Sequence, residues 1–211
     1  MTSRIDKSLQ DRFSTVFSER LWGGGAESVS GPGSCRDNPM VEKALSGLVE
    51  VIDRFGIASI ADIPCGDFNF IGDILESYPG IKYAGYDIVE DLVRLNSERN
   101  PGFEFCVFDI VSDVPPKADL VFCKELLIHL GNEDINKALS NIRKSGAKYF
   151  MASNSFGVKN EELEHNYLGY ARPIDLLAEP FTLPAALWRN AFYALWRCED
   201  IPVFETERSL T

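Results

Sequence analysis

Residues 59–70 read SIADIPCGDFNF. A short apolar run carrying one acid, Asp62, is broken sharply by Pro64, Cys65, Gly66 and Asp67. That order predicts a buried strand, a tight turn and a helix beginning near Phe70. A strand whose carboxyl end feeds a glycine-containing turn and then a helix N-terminus is where open α/β sheets form their ligand crevice. Backbone N–H groups and the helix dipole converge there.

The flanking sequence extends the pattern in both directions. Upstream, Asn38 followed by Pro39 marks a helix start, and Val41, Ala44, Leu45, Leu48, Val49 and Ile52 make one apolar stripe that ends before Gly56. Downstream, Ile71, Ile74 and Leu75 predict a short helix to about Tyr78, stopped by Pro79 and Gly80. Residues 82–87 (KYAGYD) form a second strand that again ends in an acid, and a helix over 89–100 follows, closed by Asn100, Pro101 and Gly102. Residues 103–108 (FEFCVF) give a third strand leading to Asp109 and Ile110, and 118–123 (ADLVFC) a fourth. A helix begun near Asn132 precedes a fifth strand at 149–153 (YFMAS). This alternation predicts an α/β fold with a parallel sheet and helices on both faces.

The two ends read differently. Ile5, Leu9, Phe13 and Phe17 recur every four residues, which predicts an amphipathic first helix lying against the body. The glycine-rich stretch 22–34 follows, and two readings stand open for it: a flexible connector, or a lid in which Trp22 offers a flat apolar face and the glycines let backbone approach a ligand. No Gly-Lys-Ser/Thr follows, so it is not a phosphate-binding loop. Residues 154–184 are polar and turn-forming, with no sustained period, and 191–197 read as one more strand near the end of the sheet. A loop of that length is functional or disordered, and its aromatic residues argue for the former.

At 211 residues, with 45% hydrophobic and 25% charged residues, the chain suits one globular domain. It divides into an N-terminal helix and lid (1–38), a core (39–153) and a loop with the last strand (154–211). A net charge of −11 without any run of Lys and Arg makes nucleic acid a poor partner. No apolar run is long enough to span a bilayer, and the five cysteines show neither a CxxC pair nor a metal-ligand spacing. A cytoplasmic setting, with no membrane partner and no metal, is the expectation.

Asp62 and Asp67 follow or end the first strand, Asp87 the second and Asp109 the third, so in a parallel sheet these carboxylates are expected to line one crevice. Asp87 lies about twenty residues past the turn, the distance at which an acid accepts hydrogen bonds from ribose hydroxyls. With the turn at 61–67 (ADIPCGD), Tyr86-Asp87-Ile88, Phe108-Asp109-Ile110 and the fourth strand with its exit (119–130), residues 40–153 resemble the class I S-adenosylmethionine-dependent methyltransferases. The resemblance implies a three-layer Rossmann-like fold with a mostly parallel sheet, and S-adenosylmethionine as cofactor. It implies that backbone at Cys65 and Gly66 approaches the methionine moiety, that Asp62 and Asp67 hold its ammonium, that Asp87 with Ile88 binds the ribose side, and that Asp109 and Ile110 contact adenine. On the lid reading of 22–34, Trp22 would contact the cofactor.

Glycines usual in that turn are replaced by Pro64 and Phe68. A pyrophosphate needs those glycines for close approach whereas a phosphate-free cofactor does not, so the loss favours the methyl donor over NAD. An NAD-type oxidoreductase and a non-catalytic adenosyl-binding protein remain as alternatives. For transfer to a hydroxyl a base is needed, and Glu125 and His129 leave the fourth strand as candidates, with a salt bridge or a structural histidine as the competing readings. In the long loop, Tyr167, Tyr170 and Arg172 are candidate contacts to a small polar acceptor such as a sugar, Arg172 through a bidentate fork; His165 is a weaker candidate base.

Overall fold

The computed structural model describes residues 9–23, 27–163 and 168–204. Its parallel strands are β1 (Ser59–Asp62), β2 (Lys82–Asp87), β3 (Glu104–Val107), β4 (Leu120–Cys123) and β5 (Tyr149–Ser153). β6 (Trp188–Arg189) and β7 (Tyr193–Arg197) complete a sheet of order β3-β2-β1-β4-β5-β7-β6. β7 runs antiparallel to both β5 and β6. The chain therefore moves outward from β1 through β2 to β3, then returns to the other side of β1 as β4. That reversal opens a crevice at the carboxyl ends of β1 and β4, the position where open α/β sheets bind ligands.

Helices cover both faces. α2 (Pro39–Phe55) and α3 (Gly72–Ser77) pack on one side, and α1 (Leu9–Ser18) and α5 (Asn132–Lys144) on the other, while α4 (Glu90–Arg99) lies by β2 and β3. Sheet side chains alternate strictly between the two cores: Leu120 and Phe122 face α2 and α3, Val121 and Cys123 face α5. α2 forms where the sequence says it should. Asn38 accepts from the Met40 N–H at 2.8 Å, Pro39 opens the first turn, and Gly56 closes the helix at φ 64°. Leu48 and Val51 on its inner stripe are completely buried, each contributing about 1.5–3 kcal/mol.

The last strand differs from its expected bounds, and part of the first helix falls outside the described residues. The first helix is described from Leu9, so Ile5 lies outside the described residues. The last strand begins at Tyr193 and is antiparallel, joined to the short β6 by a turn in which the Asn190 side chain accepts from the Phe192 and Tyr193 N–H groups, both at 2.9 Å. β6 has two residues, too few to show a period. Between β5 and β6 the described residues contain neither helix nor strand. That segment is held by side chains instead: Asp175 accepts from Asn154 at 3.0 Å and from the Gly157 N–H at 2.7 Å, and Asn160 donates to the Asp175 carbonyl at 2.8 Å. No helix among the described residues is long and apolar enough to cross a membrane.

Candidate active site

The turn after β1 is pinned from three directions. The Cys65 N–H donates to the Tyr86 carbonyl at 2.9 Å, the Gly66 N–H to Asp87 Oδ2 at 3.2 Å, and the Asn96 amide to the Gly66 carbonyl at 2.7 Å. Gly66 sits at φ 55°, and a Cβ there would lie 2.9 Å from Ser30 Oγ. Only glycine meets both demands without strain. Phe68, where the family's turn has a glycine, adopts φ 57°. Its ring packs 5.2–5.4 Å from the rings of Tyr83, Phe103 and Phe105, so aromatic burial holds a backbone conformation that is otherwise unfavourable for a bulky residue.

Above this turn lies a cavity of about 250 Å³. Its floor is Pro64, Cys65 and Gly66, one wall is Asp87, Ile88 and Val89 beyond β2, and the other is Lys124, Glu125 and Leu126 beyond β4. Phe13, Phe17 and Trp22 roof it, together with the loop 29–34. Of the glycine-rich stretch, Trp22 and residues 29–34 thus line the crevice. Ser30 Oγ accepts from the Asp67 N–H at 2.9 Å, and Asp67 Oδ2 accepts from Ser28 Oγ at 2.8 Å and from the Val29 N–H at 2.9 Å. Asp87 Oδ1 accepts from the Val89 N–H at 3.0 Å. Burial pushes its carboxyl up to about 6, against the pull of the backbone N–H groups of Val89 and Gly66.

Beyond β4 the strand's alternation fails. Lys124 and Glu125 are sequential, yet both line the cavity, because Glu125 stands at φ 55° with its N–H donated to Ser153 Oγ at 3.1 Å. A left-handed, non-glycine residue at a ligand wall is strain held in place by its surroundings. Glu125 and Ile128 also line a second cavity of about 230 Å³, whose other walls include Met40, Ser155, Ala171, Pro173 and Phe192.

His129 lines the first cavity. Its Nδ1 lies 2.9 Å from the Tyr170 carbonyl. A carbonyl only accepts, so Nδ1 carries the proton and Nε2 keeps its lone pair. Trp22 lies over the imidazole, ring centroids 4.7 Å apart, and donates through Nε1 to the Gly169 carbonyl at 2.9 Å. Burial holds the His129 pKa below its ordinary value.

The carboxylates expected in one crevice are not brought together. Asp87 lines the cavity; Asp62, Asp67 and Asp109 do not. Asp62 shares the sheet face of Ile60, so it points toward α2 and α3, is 3% exposed and accepts from the Tyr83 hydroxyl at 2.8 Å. Asp67 fastens the covering loop, and Asp109 accepts from the Val111 N–H at 2.9 Å and from the Ser112 hydroxyl at 3.0 Å. Ile110 is buried in the α5-side core. Arg172 borders the second cavity, but its guanidinium donates to the carbonyls of Glu161 and Leu130 and to Asn132 Oδ1 at 2.6–2.8 Å. Its fork ties the long loop to the exit of β4 and is not open to an acceptor. Tyr170 is largely exposed and meets the site through its carbonyl, while Tyr167 and His165 lie outside the described residues.

Sequence reasoning passed over Lys124, Ser30, Phe13 and Phe17 as site residues. A lysine directly after a wholly buried strand was the available signal for the first. The roof requires knowing how the N-terminal segment folds back. The arrangement fits S-adenosylmethionine: a mostly apolar hollow with Asp87 on the wall beyond β2, a glycine turn that permits backbone approach and, among the described residues, no glycine cradle of the kind a pyrophosphate needs.

A family model described as an O-methyltransferase domain matches residues 40–149. No curated protein sequence matches the chain significantly. Among solved structures, the magnesium protoporphyrin IX methyltransferase ChlM from Synechocystis PCC 6803, solved with bound S-adenosylhomocysteine, is similar at 16% identity and TM-score 0.52, over 71% of this chain and 72% of that one. The PH0226 protein from Pyrococcus horikoshii OT3 is similar at 17% identity and TM-score 0.54, over 78% and 93%. The methyltransferase domain of bacterial CtHen1 gives 13% and 0.49 over 54% of this chain, which spans 66% of that domain's length. The model match covers more than half of the chain. This protein therefore belongs to the O-methyltransferase domain family, on the class I fold of the S-adenosylmethionine-dependent methyltransferases.

Proposed function

We propose that the protein transfers the methyl group of S-adenosylmethionine to a hydroxyl of a small polar molecule, a sugar or related metabolite, bound in the second cavity. The observation that carries this reading is the place of Glu125, a residue that lines both cavities. A carboxylate between donor and acceptor chambers is where a general base for a hydroxyl has to stand. S-adenosylmethionine supplies an electrophilic methyl group on a sulfonium, and an in-line displacement leaves a neutral thioether. The chain's part is alignment, worth roughly 7–11 kcal/mol in favourable cases, and receipt of the hydroxyl proton, worth roughly 10²–10⁴ in rate.

Asp87 takes the ribose, with Ile88 and Val89 beside it, and backbone at Cys65 and Gly66 meets the methionine portion. Trp22, Phe13 and Phe17 exclude water from above. Ser153 and Ser155 give the second cavity hydroxyl groups that suit a polar acceptor. His129 supports a second reading of the base, since its protonated Nδ1 leaves Nε2 available, although Trp22 covers its ring.

Incubation with methyl-13C-labelled S-adenosylmethionine and a panel of small polyols, sugars and amines tests the proposal by NMR. Label in a methoxy group is the expected result; label on nitrogen overturns the oxygen assignment. Binding of S-adenosylhomocysteine with no transfer to any acceptor favours the non-catalytic alternative.

A further inference from the structure

Tyr193 on β7 is completely buried, and its hydroxyl has no hydrogen-bond partner among the described residues. Buried hydroxyls are nearly always paired, so an orphan in a well-packed core asks for a reason. Its surroundings supply one. Tyr193 is the register partner of Ser153 on β5, and Ser153 Oγ accepts from the Glu125 N–H at 3.1 Å. The tyrosine ring reaches past β5 to lie 6.5 Å from the ring of Phe122 on β4, the strand that leads into Glu125. Burial pushes the phenol pKa up, and Glu125 supplies the charge that adds to it.

The Glu125 carboxylate is the complement. Among the described residues it makes neither a hydrogen bond nor an ion pair. Lys124 is the neighbouring cation, and Glu125 is the acid that acts on it most, yet the ammonium donates to the Gly33 carbonyl at 2.6 Å. Burial, Asp62 and Glu125 together push the Cys123 thiol up, so it stays protonated. Across the two cavities the other titratable groups are engaged: Asp87 with the Gly66 and Val89 N–H groups, His129 Nδ1 with the Tyr170 carbonyl, and Arg172 with Glu161, Leu130 and Asn132. One donor without an acceptor and one acceptor without a donor therefore stand on the same edge of the sheet.

An acceptor that fills the second cavity takes water away from the carboxylate, and the phenol is the donor left to it. We propose that Tyr193 is the positioning residue for Glu125: in the loaded enzyme its hydroxyl donates to the carboxylate and seats it to receive the acceptor's proton. The inference rests on reading Glu125 as the base. As the O–CH3 bond forms and the S–CH3 bond breaks, the hydroxyl proton of the acceptor passes to Glu125, and Tyr193 keeps its own. A donated hydrogen bond favours the charged form of a carboxylate, so losing it makes the base harder to ionise.

The competing role is packing alone. Tyr193→Phe keeps the ring and removes only the hydroxyl, so it separates the two. In denaturant titration the variant is expected to unfold at the same or a higher midpoint, because the group removed is unpaired in the free protein. In single-turnover transfer it is expected to be about tenfold slower, the range of a hydrogen bond to a charged group. The acid limb of its pH–rate profile should move to higher pH, while S-adenosylhomocysteine affinity stays within about twofold of wild type. In a Glu125→Gln background the same substitution should change the rate by less than about twofold. A lower midpoint with an unmoved pH–rate profile overturns the proposal, as does a wild-type rate in Tyr193→Phe or an equal slowing in the Glu125→Gln background. A wild-type protein that binds S-adenosylhomocysteine and methylates nothing overturns the reading of Glu125 as a base, and this inference with it.

Discussion

Asp87 has a backbone N–H on each carboxylate oxygen, yet burial outweighs both bonds and pushes its carboxyl up to about 6. Ribose hydroxyls donate to the ionised form, so cofactor binding should favour loss of the proton. S-adenosylhomocysteine affinity is therefore expected to hold above pH 6 and to fall as the pH drops below it, with a proton released on binding near pH 6. Calorimetry in buffers of different ionisation enthalpy reads that release. Asp87→Asn should cost about 1–3 kcal/mol of binding at neutral pH, and unchanged affinity would remove Asp87 from the site. Glu125→Gln should lower the rate constant of transfer by roughly 10²–10⁴ while leaving S-adenosylhomocysteine binding within about twofold, as measured by single-turnover kinetics beside calorimetry. The place of Asp87 on the cavity wall was legible in the sequence because its distance from the turn is set by a whole βαβ unit. Asp62 and Asp109 were not, because position at a strand end fixes the sheet edge but not the direction of the side chain. Asp62 follows the parity of Ile60 to the wrong face, and Asp109 closes on its own turn.

At the scale of elements, the five parallel strands and α2 could be read nearly to the residue, since apolar runs, caps and turn formers agreed with one another. The direction of β7 could not, because a period of two is the same read either way; neither could the two-residue β6. The turn after β1 is the element on which the site depends. Gly66→Ala is expected to destabilise the fold by about 1–2 kcal/mol and to weaken cofactor binding, through left-handed backbone and the clash with Ser30 together. Adding Ser30→Gly should recover the part due to the clash, a coupling that a double-mutant cycle of denaturant melts measures. Full additivity would mean that the two segments do not touch.

For the molecule as a whole, Asp62 joins the buried core to its pH dependence. Burial pushes its carboxyl up to about 7, against the Tyr83 hydroxyl and the Lys124 charge. A raised pKa means that the folded state holds the proton more tightly than the unfolded one, so this residue's contribution to stability is greatest below about pH 4 and is lost as the pH rises toward 7. Asp62→Asn keeps an acceptor for Tyr83 and removes the titration. The variant should gain on the wild type with rising pH, by on the order of 4 kcal/mol at pH 8 relative to pH 4, in denaturant titrations across that range. A constant difference between the two proteins would show that Asp62 ionises freely. The buried acid, the lysine and the left-handed glutamate all meet at the reversal between β1 and β4, and the account stands on what fills the hollow above them. The direct measurement is a crystal structure with S-adenosylhomocysteine bound. It is expected to show the ribose at Asp87 and the sulfur facing Glu125 and the second cavity. A ligand seated elsewhere, or with its sulfur turned from Glu125, would contradict the account.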